Sequence, residues 1–149
     1  MIREIREDDF DESRNLILAC LEKSIAYPRE VLGYFREEFM SPDYFTLRST
    51  NGGIYVFEDN KIKAIGCADA DWVRKVFVSP ESQGQGIGTN MLAYVEKQIR
   101  ANGFDRSWAY SYPSSLDFAL NRGYEIVERL TFKDRGLEIP GIKITKQLI

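Results

Sequence analysis

Apolar positions along the chain follow two periods. Ile2 to Ile5 reads as a short first strand, and Asp8-Asp9 then open a helix with the stripe Phe10, Ile17, Cys20, Leu21 and Ile25. Tyr27-Pro28 ends it, and Pro28 suits the first position of a second helix carrying Val31, Leu32, Phe35 and Phe39 on one side. Ser41-Pro42 repeats the signal for a short turn through Leu47, and Asn51-Gly52-Gly53 is loop. Beyond it the period changes to two. Ile54–Glu58, Lys61–Ala68 and Val73–Val78 read as three strands, joined through Asp59-Asn60 and Asp69–Trp72, and suggest an antiparallel meander. Leu92, Val95 and Ile99 then recur at helical spacing, with Asn102-Gly103 as the C-terminal cap. Phe104–Tyr112 predicts a strand, Pro113-Ser114-Ser115 starts a short helix ending at Arg122-Gly123, and Glu125–Phe132 and Ile142–Leu148 predict two closing strands.

The stretch that organises the chain is VFVSPESQGQGIGTNMLAYVEKQIR, from Val76 to Arg100. Gly84, Gly86 and Gly88 alternate between a strand and a helix, where the first turn leaves backbone N–H groups unpaired. Residues without a Cβ let an anion approach those groups, and the helix dipole favours a phosphate or pyrophosphate there. A dinucleotide fingerprint would need a third glycine where Thr89 stands, and a Walker loop would need a lysine in the turn. The spacing present is Gln83-x-x-Gly86-x-Gly88. A helix start packed tightly on its own strand is the plainer account of the same glycines.

The 149 residues are expected to form a single domain, residues 1–149. Apolar residues make up 44% and charged residues 29%, a globular composition. A net charge of −3 argues against non-specific nucleic-acid binding, and no apolar run approaches a membrane span. The charged start carries no sign of export, so the expected compartment is the cytoplasm. Histidine is absent, which excludes His-based triads, Cys-His dyads and His-ligated metal sites; no metal is expected. Cys20 and Cys67 stand in apolar settings and read as small buried hydrophobes. Tyr27, Tyr34, Phe35, Phe39, Tyr44 and Phe45, interleaved with Glu30, Glu37, Glu38 and Asp43, read as core plus solvated face, or else as an acidic aromatic wall suited to an amine cation.

Gln83-x-x-Gly86-x-Gly88 after a V-x-V-x-P strand end resembles the acyl-CoA-binding motif of the GNAT superfamily of N-acetyltransferases. The segment SSLDFALNRGYEIVE is similar to a second motif of that superfamily, with Phe118, Gly123 and Tyr124 at its F, G and aromatic positions. The order of elements follows it along nearly the whole chain. The resemblance implies an α+β (mixed α/β) fold, the GNAT acyl-CoA N-acyltransferase fold. It has a mostly antiparallel central sheet, splayed parallel fourth and fifth strands (here Val76–Ser79 and Trp108–Ser111) and flanking helices. It also implies an acetyl-CoA-dependent N-acetyltransferase acting on a primary amine of a small molecule or peptide. In that reading an amine attacks the thioester directly, through a tetrahedral intermediate. Neither nucleic acid nor membrane is a partner, and a homodimer is compatible.

The site residues follow from the same resemblance. Val76, Phe77 and Val78 would run beside the pantetheine arm, and the Val78 N–H would hold the developing oxyanion. The turn Gln83, Gly84, Gln85, Gly86, Ile87, Gly88 and Thr89 would take the pyrophosphate, with Gln83, Gln85 and Ile87 serving turn geometry and packing. Phe118 and Arg122 complete the cofactor set, Arg122 as a candidate for the 3′-phosphate. The superfamily's usual proton-donating tyrosine falls at Ala119, and its strand-end asparagine or serine falls at Tyr112. Tyr112 is therefore the catalytic candidate, as a phenol or as no more than an aromatic wall. A protein that binds acetyl-CoA without efficient turnover, as a sensor or partner subunit, is the alternative that Ala119 keeps open.

Overall fold

A computed structural model describes residues 1–23, 29–41, 43–45, 53–134 and 136–149. Seven strands among them form one sheet in the order β1 (Ile2–Glu4), β2 (Ile54–Asp59), β3 (Lys61–Asp69), β4 (Trp72–Val78), β5 (Arg106–Ser111), β7 (Leu137–Gln147) and β6 (Glu125–Asp134). All neighbours are antiparallel except β4 and β5, which are parallel through the single pair Trp72–Trp108 and part beyond it. The helices are α1 (Phe10–Glu22), α2 (Arg29–Met40), α3 (Ile87–Ala101) and α4 (Leu116–Leu120). Ile25, Tyr27, Pro28, Pro42, Leu47 and Asn51-Gly52 lie outside the described residues, as do the side chains of Val31, Tyr34, Phe35, Glu38 and Phe39. No helix among the described residues is long and apolar enough to cross a membrane.

Strand alternation gives the sheet two apolar faces, and helices cover each. On one, Leu16, Ile17 and Leu21 of α1 meet Ile54, Val56, Ile65 and Cys67. Leu16 belongs to the helix stripe, which Cys20 joins only half-buried. Tyr44 and Phe45 are buried in this same layer, so these two members of the aromatic-acidic segment are core. On the other face Met91, Leu92, Val95 and Ile99 of α3 meet Ala64, Ala68, Val73, Ile142 and Ile144.

Two strand starts differ from the sequence expectation by more than one residue, each for a local reason. The strand expected from Phe104 starts at Arg106, because the Phe104 N–H still bonds the Ile99 carbonyl and Gly103, at φ +97°, turns the chain off the helix. The last strand starts at Leu137 rather than Ile142 and passes through Pro140. The Leu148 N–H bonds the Asp105 carbonyl, so the even-numbered residues of β7 turn their main-chain groups towards β5. Strand β5 ends at Ser111, opposite Ile142, and leaves Pro140 facing an open edge where its missing N–H costs nothing.

The first strand is tied to α1 by charge. Asp9 is buried and accepts two bonds from the Arg3 guanidinium, at 2.7 and 3.0 Å, and one from the Arg6 N–H at 2.7 Å. The Arg3 contact holds the Asp9 carboxyl below its ordinary range, against the opposing effect of burial. A depressed carboxylate stabilises the fold above its unfolded pKa of about 3.9 and loses that contribution as pH falls through its folded value. Asp9→Asn is expected to cost about 2–3 kcal/mol near neutral pH. Urea midpoints should show the gap between parent and variant narrowing below pH 4. Parental stability of the variant at neutral pH would contradict the role given to this pair.

Candidate functional site

The site begins with a register. The Ser79 N–H bonds the Lys63 carbonyl at 2.8 Å, which makes Ser79–Lys63 a hydrogen-bonded pair. Counting back along the same register, Phe77–Ile65 and Lys75–Cys67 are also bonded pairs, while Val78–Ala64 and Val76–Gly66 are not. The N–H and C=O groups of Val76 and Val78 therefore turn away from β3, into the gap where β5 has parted from β4. The Val78 carbonyl accepts from Gln83 Nε2 at 3.2 Å and from the Cys20 thiol at 3.1 Å. Burial pushes that thiol up to about 11, so it stays a neutral donor.

A β-bulge helps to open the gap. Cys67 and Ala68 of β3 face Lys75 and Val73 of β4, so Arg74 is an extra residue that bends the strand. The resulting cleft is walled by Val73–Val76, by Ala109–Ser111 of β5, by Leu92 of α3 and by Phe118 and Ala119 of α4. By the alternation already used, the main-chain groups of Tyr110 face it from the other side.

At the end of β4, Ser79-Pro80 starts a single 3-10 turn and Gln83 returns the chain to an extended conformation. Gly84 and Gly86 both take φ +80°, a region that costs any residue with a Cβ. An added Cβ would meet nothing within 4 Å at either, so the space before them is open. Gly86 is the N-cap of α3 and offers no capping side chain, and no acidic residue stands in the first turn. The N–H groups of Ile87, Gly88 and Thr89 are thus left to a ligand at the positive end of the helix dipole. Ile87 itself is buried, which anchors the turn. Gly88 needs its missing Cβ for packing rather than for φ: an added one would lie 3.2 Å from Val78 Cγ2 and 3.3 Å from Phe118 Cε2.

Arg122 stands at this cradle. Its guanidinium lies 3.7 Å from the Phe118 ring centroid and donates to Thr89 Oγ1 at 2.6 and 3.0 Å and to the Phe118 carbonyl at 2.8 Å. The main-chain groups of Val76 and Val78 and the segment Gln83–Thr89 are brought together with Phe118 and Arg122. Two expected residues stand apart from the cleft. Phe77 pairs its main chain with β3 and packs its ring on the α1 face, as does Tyr112. Tyr112 is therefore on the opposite face of the sheet from Ala119.

Sequence reasoning passed over the hydroxyls that do line the cleft. Ser111 is buried there, its Oγ 3.0 Å from Ser115 Oγ and 3.1 Å from the Tyr112 carbonyl that it bonds. Alternation along β5 carries the signal, since Ala109 and Ser111 share a face while Trp108, Tyr110 and Tyr112 share the other. On the α3 side of the cleft, Tyr124 OH donates to Glu96 Oε2 at 2.8 Å and lies 2.8 Å from Ser107 Oγ, while Lys146 reaches Glu96 Oε1 at 3.1 Å. Burial, with the Glu96 charge, raises the Tyr124 phenol and keeps it protonated.

The sequence model of the acetyltransferase (GNAT) family matches residues 4–124. No curated protein sequence matches the chain significantly. Among solved structures, a GCN5-related N-acetyltransferase from Rhodopseudomonas palustris superposes with a TM-score of 0.92 at 19% identity, covering 99% of this chain and 95% of that one. The PaiA N-acetyltransferase of Thermoplasma acidophilum, in complex with coenzyme A, does so with a TM-score of 0.81 at 16% identity, covering 99% and 98%. A phosphinothricin acetyltransferase from Sinorhizobium meliloti, in complex with acetyl-CoA, gives 0.73 at 19% identity, covering 99% and 88%. At these identities the likeness is one of fold.

The glycines of the turn separate by stability. Gly84→Ala and Gly86→Ala should each cost roughly 1–2 kcal/mol through positive φ alone. Gly88→Val should cost about 1–3 kcal/mol by crowding Val78 and Phe118. Chemical denaturation measures all three, and a Gly88→Val variant as stable as the parent would contradict the close packing described.

Proposed function

The chain belongs to the acetyltransferase (GNAT) family and is an acyltransferase, and on that premise we propose that it transfers the acetyl group of acetyl-CoA to the amine of a small molecule or peptide by direct attack. The observation that carries this reading is the pair of outward-turned residues Val76 and Val78, which lead straight into an uncapped, acid-free helix start. A nucleotide with an amide-bearing arm fits both features at once.

Acetyl-CoA, when bound, supplies an acetyl thioester open to nucleophilic attack. The donor set suits it. Main-chain N–H groups around Gln83–Gly84 and Gly86–Thr89 hold the pyrophosphate, in the open space before Gly84 and Gly86. Gln83 fixes the turn through the Val78 carbonyl, Gln85 extends its exposed rim, and Arg122 adds positive charge beside Thr89. Its bonds to Thr89 and the Phe118 carbonyl support a role for Arg122 at the pyrophosphate over the expected one at the 3′-phosphate. An arm leaving the turn would meet Val78 before Val76, so the Val78 N–H would pair with it as a strand edge pairs with an added strand, and the Val76 N–H, farther from the turn, would receive the developing oxyanion in place of the expected Val78 N–H. Phe118 walls the arm.

Protons divide between the two faces of the sheet. On the leaving side Ala119 brings no hydroxyl, and a hydroxyl of the Ser111–Ser115 pair would have to turn from the Tyr112 carbonyl to donate to the thiolate, which with a free pKa of about 8.5 needs little help. The amine is the harder side. For a lysine-like amine of pKa ~10.4, reaching the neutral form at pH 7 costs about 4.6 kcal/mol. With no histidine in the chain, a base there would be a carboxylate or a phenol, and Tyr112, whose ring packs on the α1 face away from Ala119, is the phenol assigned to the amine side in this reading. Binding without efficient turnover is the alternative that Ala119 leaves open, and release of free thiol on mixing with amines separates the two.

Free thiol should appear when acetyl-CoA meets an accepted amine, and Gly86→Val should weaken CoA by at least ~2 kcal/mol with its far-UV circular dichroism unchanged. Wild-type CoA affinity in that variant, measured by calorimetry, would remove the cradle reading. Arg122→Ala should weaken CoA and dephospho-CoA to the same degree; a loss confined to CoA would return Arg122 to the 3′-phosphate. Tyr112→Phe should lower kcat by ~10²-fold with little change in CoA affinity. A parental kcat in Tyr112→Phe from pH 6 to 9 would leave solvent as the proton acceptor, and kcat/KM would then climb about tenfold per pH unit towards the amine's own pKa.

A further inference from the structure

We propose that the acceptor is an amine carrying a carboxylate, which Lys143 binds over the paired rings of Trp72 and Trp108. The inference rests on the acetyl-transfer reading and names the substrate class of the same site. Alternation along β5 puts Trp108 and Tyr110 on the face opposite Ala109 and Ser111, so they lie behind the cleft, at the point where β4 and β5 part.

The rings there form a built surface. Trp72 stacks on Tyr110, with centroids 4.9 Å apart, and lies 6.2 Å from Trp108. Phe132 meets the edge of Tyr110 at 5.1 Å, and Gly141 makes room for it, since an added Cβ there would sit 2.3 Å from Phe132 Cε2. Tyr110 is 38% exposed and both tryptophans are half-buried, so a ligand can reach them. An aromatic surface this exposed, beside the point where β4 and β5 part, invites an apolar body.

Its charge decides which body. Two cations already sit on the rings: Arg74, 4.9 Å from the Trp72 centroid, and Lys143, 5.0 Å from that of Trp108 and 5.9 Å from that of Trp72. Arg74 is neutralised by Asp69 at 3.3 Å. Lys143 is half-buried, and no carboxylate among the described residues lies within 4.0 Å of its ammonium; Glu128, directly across the ladder, does not reach it. A polyamine would bring further positive charge to rings that already hold two cations. A carboxylate gains a charge-assisted hydrogen bond from Lys143 while its carbon skeleton rests on Trp72 and Tyr110.

Proton supply points the same way. In a chain without histidine the amine that most readily loses its proton is favoured. At pH 7 about one in ten α-amines of pKa ~8 is neutral, against about one in 2,500 lysine-like amines of pKa ~10.4. A short peptide with a free α-amine and a free carboxylate meets both demands.

Trp72 and Trp108 are the two tryptophans of the chain, so intrinsic fluorescence reports this site and no other. Glycyl-L-phenylalanine, its C-terminal amide and spermidine would each be titrated into the full chain without acetyl-CoA, in the parent, Lys143→Gln and Lys143→Arg. The free acid should give a saturable change in the parent, with affinity at least tenfold weaker for the amide or for Lys143→Gln, retained in Lys143→Arg and absent with spermidine. Equal affinity for acid and amide, an unaffected Lys143→Gln, or a preference for spermidine would overturn the proposal. Thiol release keeps the two readings apart. Turnover of spermidine but not of the peptide would sink this inference and leave acetyl transfer standing, whereas peptide binding without CoA binding would support the Lys143 site and sink acetyl transfer.

Discussion

Everything at this site depends on how β3 and β4 are registered. Hydrogen bonds between antiparallel strands alternate, so fixing Ser79 on Lys63 decides for every residue of β4 which way its peptide groups point. Phe77 and Lys75 are spent on β3. Val76 and Val78 face outward, and in an ordinary sheet the next strand would use them. Here Arg74 is bulged and β5 pairs only at Trp72–Trp108, so those groups open on a cleft. A one-residue slip would put Phe77 there instead and turn the valine side chains off α3.

The same alternation sorts the chemistry onto two faces. Ala109, Ser111, Phe118 and Ala119 belong with α3 and α4, where the glycine turn lies. Trp72, Trp108, Tyr110 and Lys143 gather around ring contacts on the other face, the side on which Tyr112 also packs. A nucleotide-bearing donor and an amine acceptor can thus approach one another through the gap between β4 and β5 without competing for the same wall. In the proposed reading main-chain groups, which any sequence with this register supplies, serve the donor, and side chains serve the acceptor.

This difference explains how far the sequence could be read. The strand, glycine turn and helix from Val76 to Arg100 were legible because their signals are local: β-formers, paired glycines, then Leu92, Val95 and Ile99 at helical spacing. The fold followed from the order of elements. The strand through Pro140 was not legible, since its tolerance comes from β5 ending at Ser111, a fact of pairing. The face of Tyr112 was not read either, since in a strand one residue decides it: its ring packs on the α1 face, while Ser111, one residue before it, lines the cleft. Lys143 was invisible for a further reason. It meets Trp72 and Trp108 only when three strands are set side by side, across more than seventy residues of chain.

The central claim, that Val76 and Val78 form an open strand edge for the donor's arm, is tested most directly by amide hydrogen exchange resolved at single residues. Without ligand, the Val76 and Val78 amides should exchange far faster than those of Phe77 and Lys75, which β3 protects. Saturating CoA should slow Val76 and Val78 by orders of magnitude and leave Phe77 nearly unchanged. Val76 and Val78 amides that are already protected without CoA, or that exchange equally fast with it, would contradict the account.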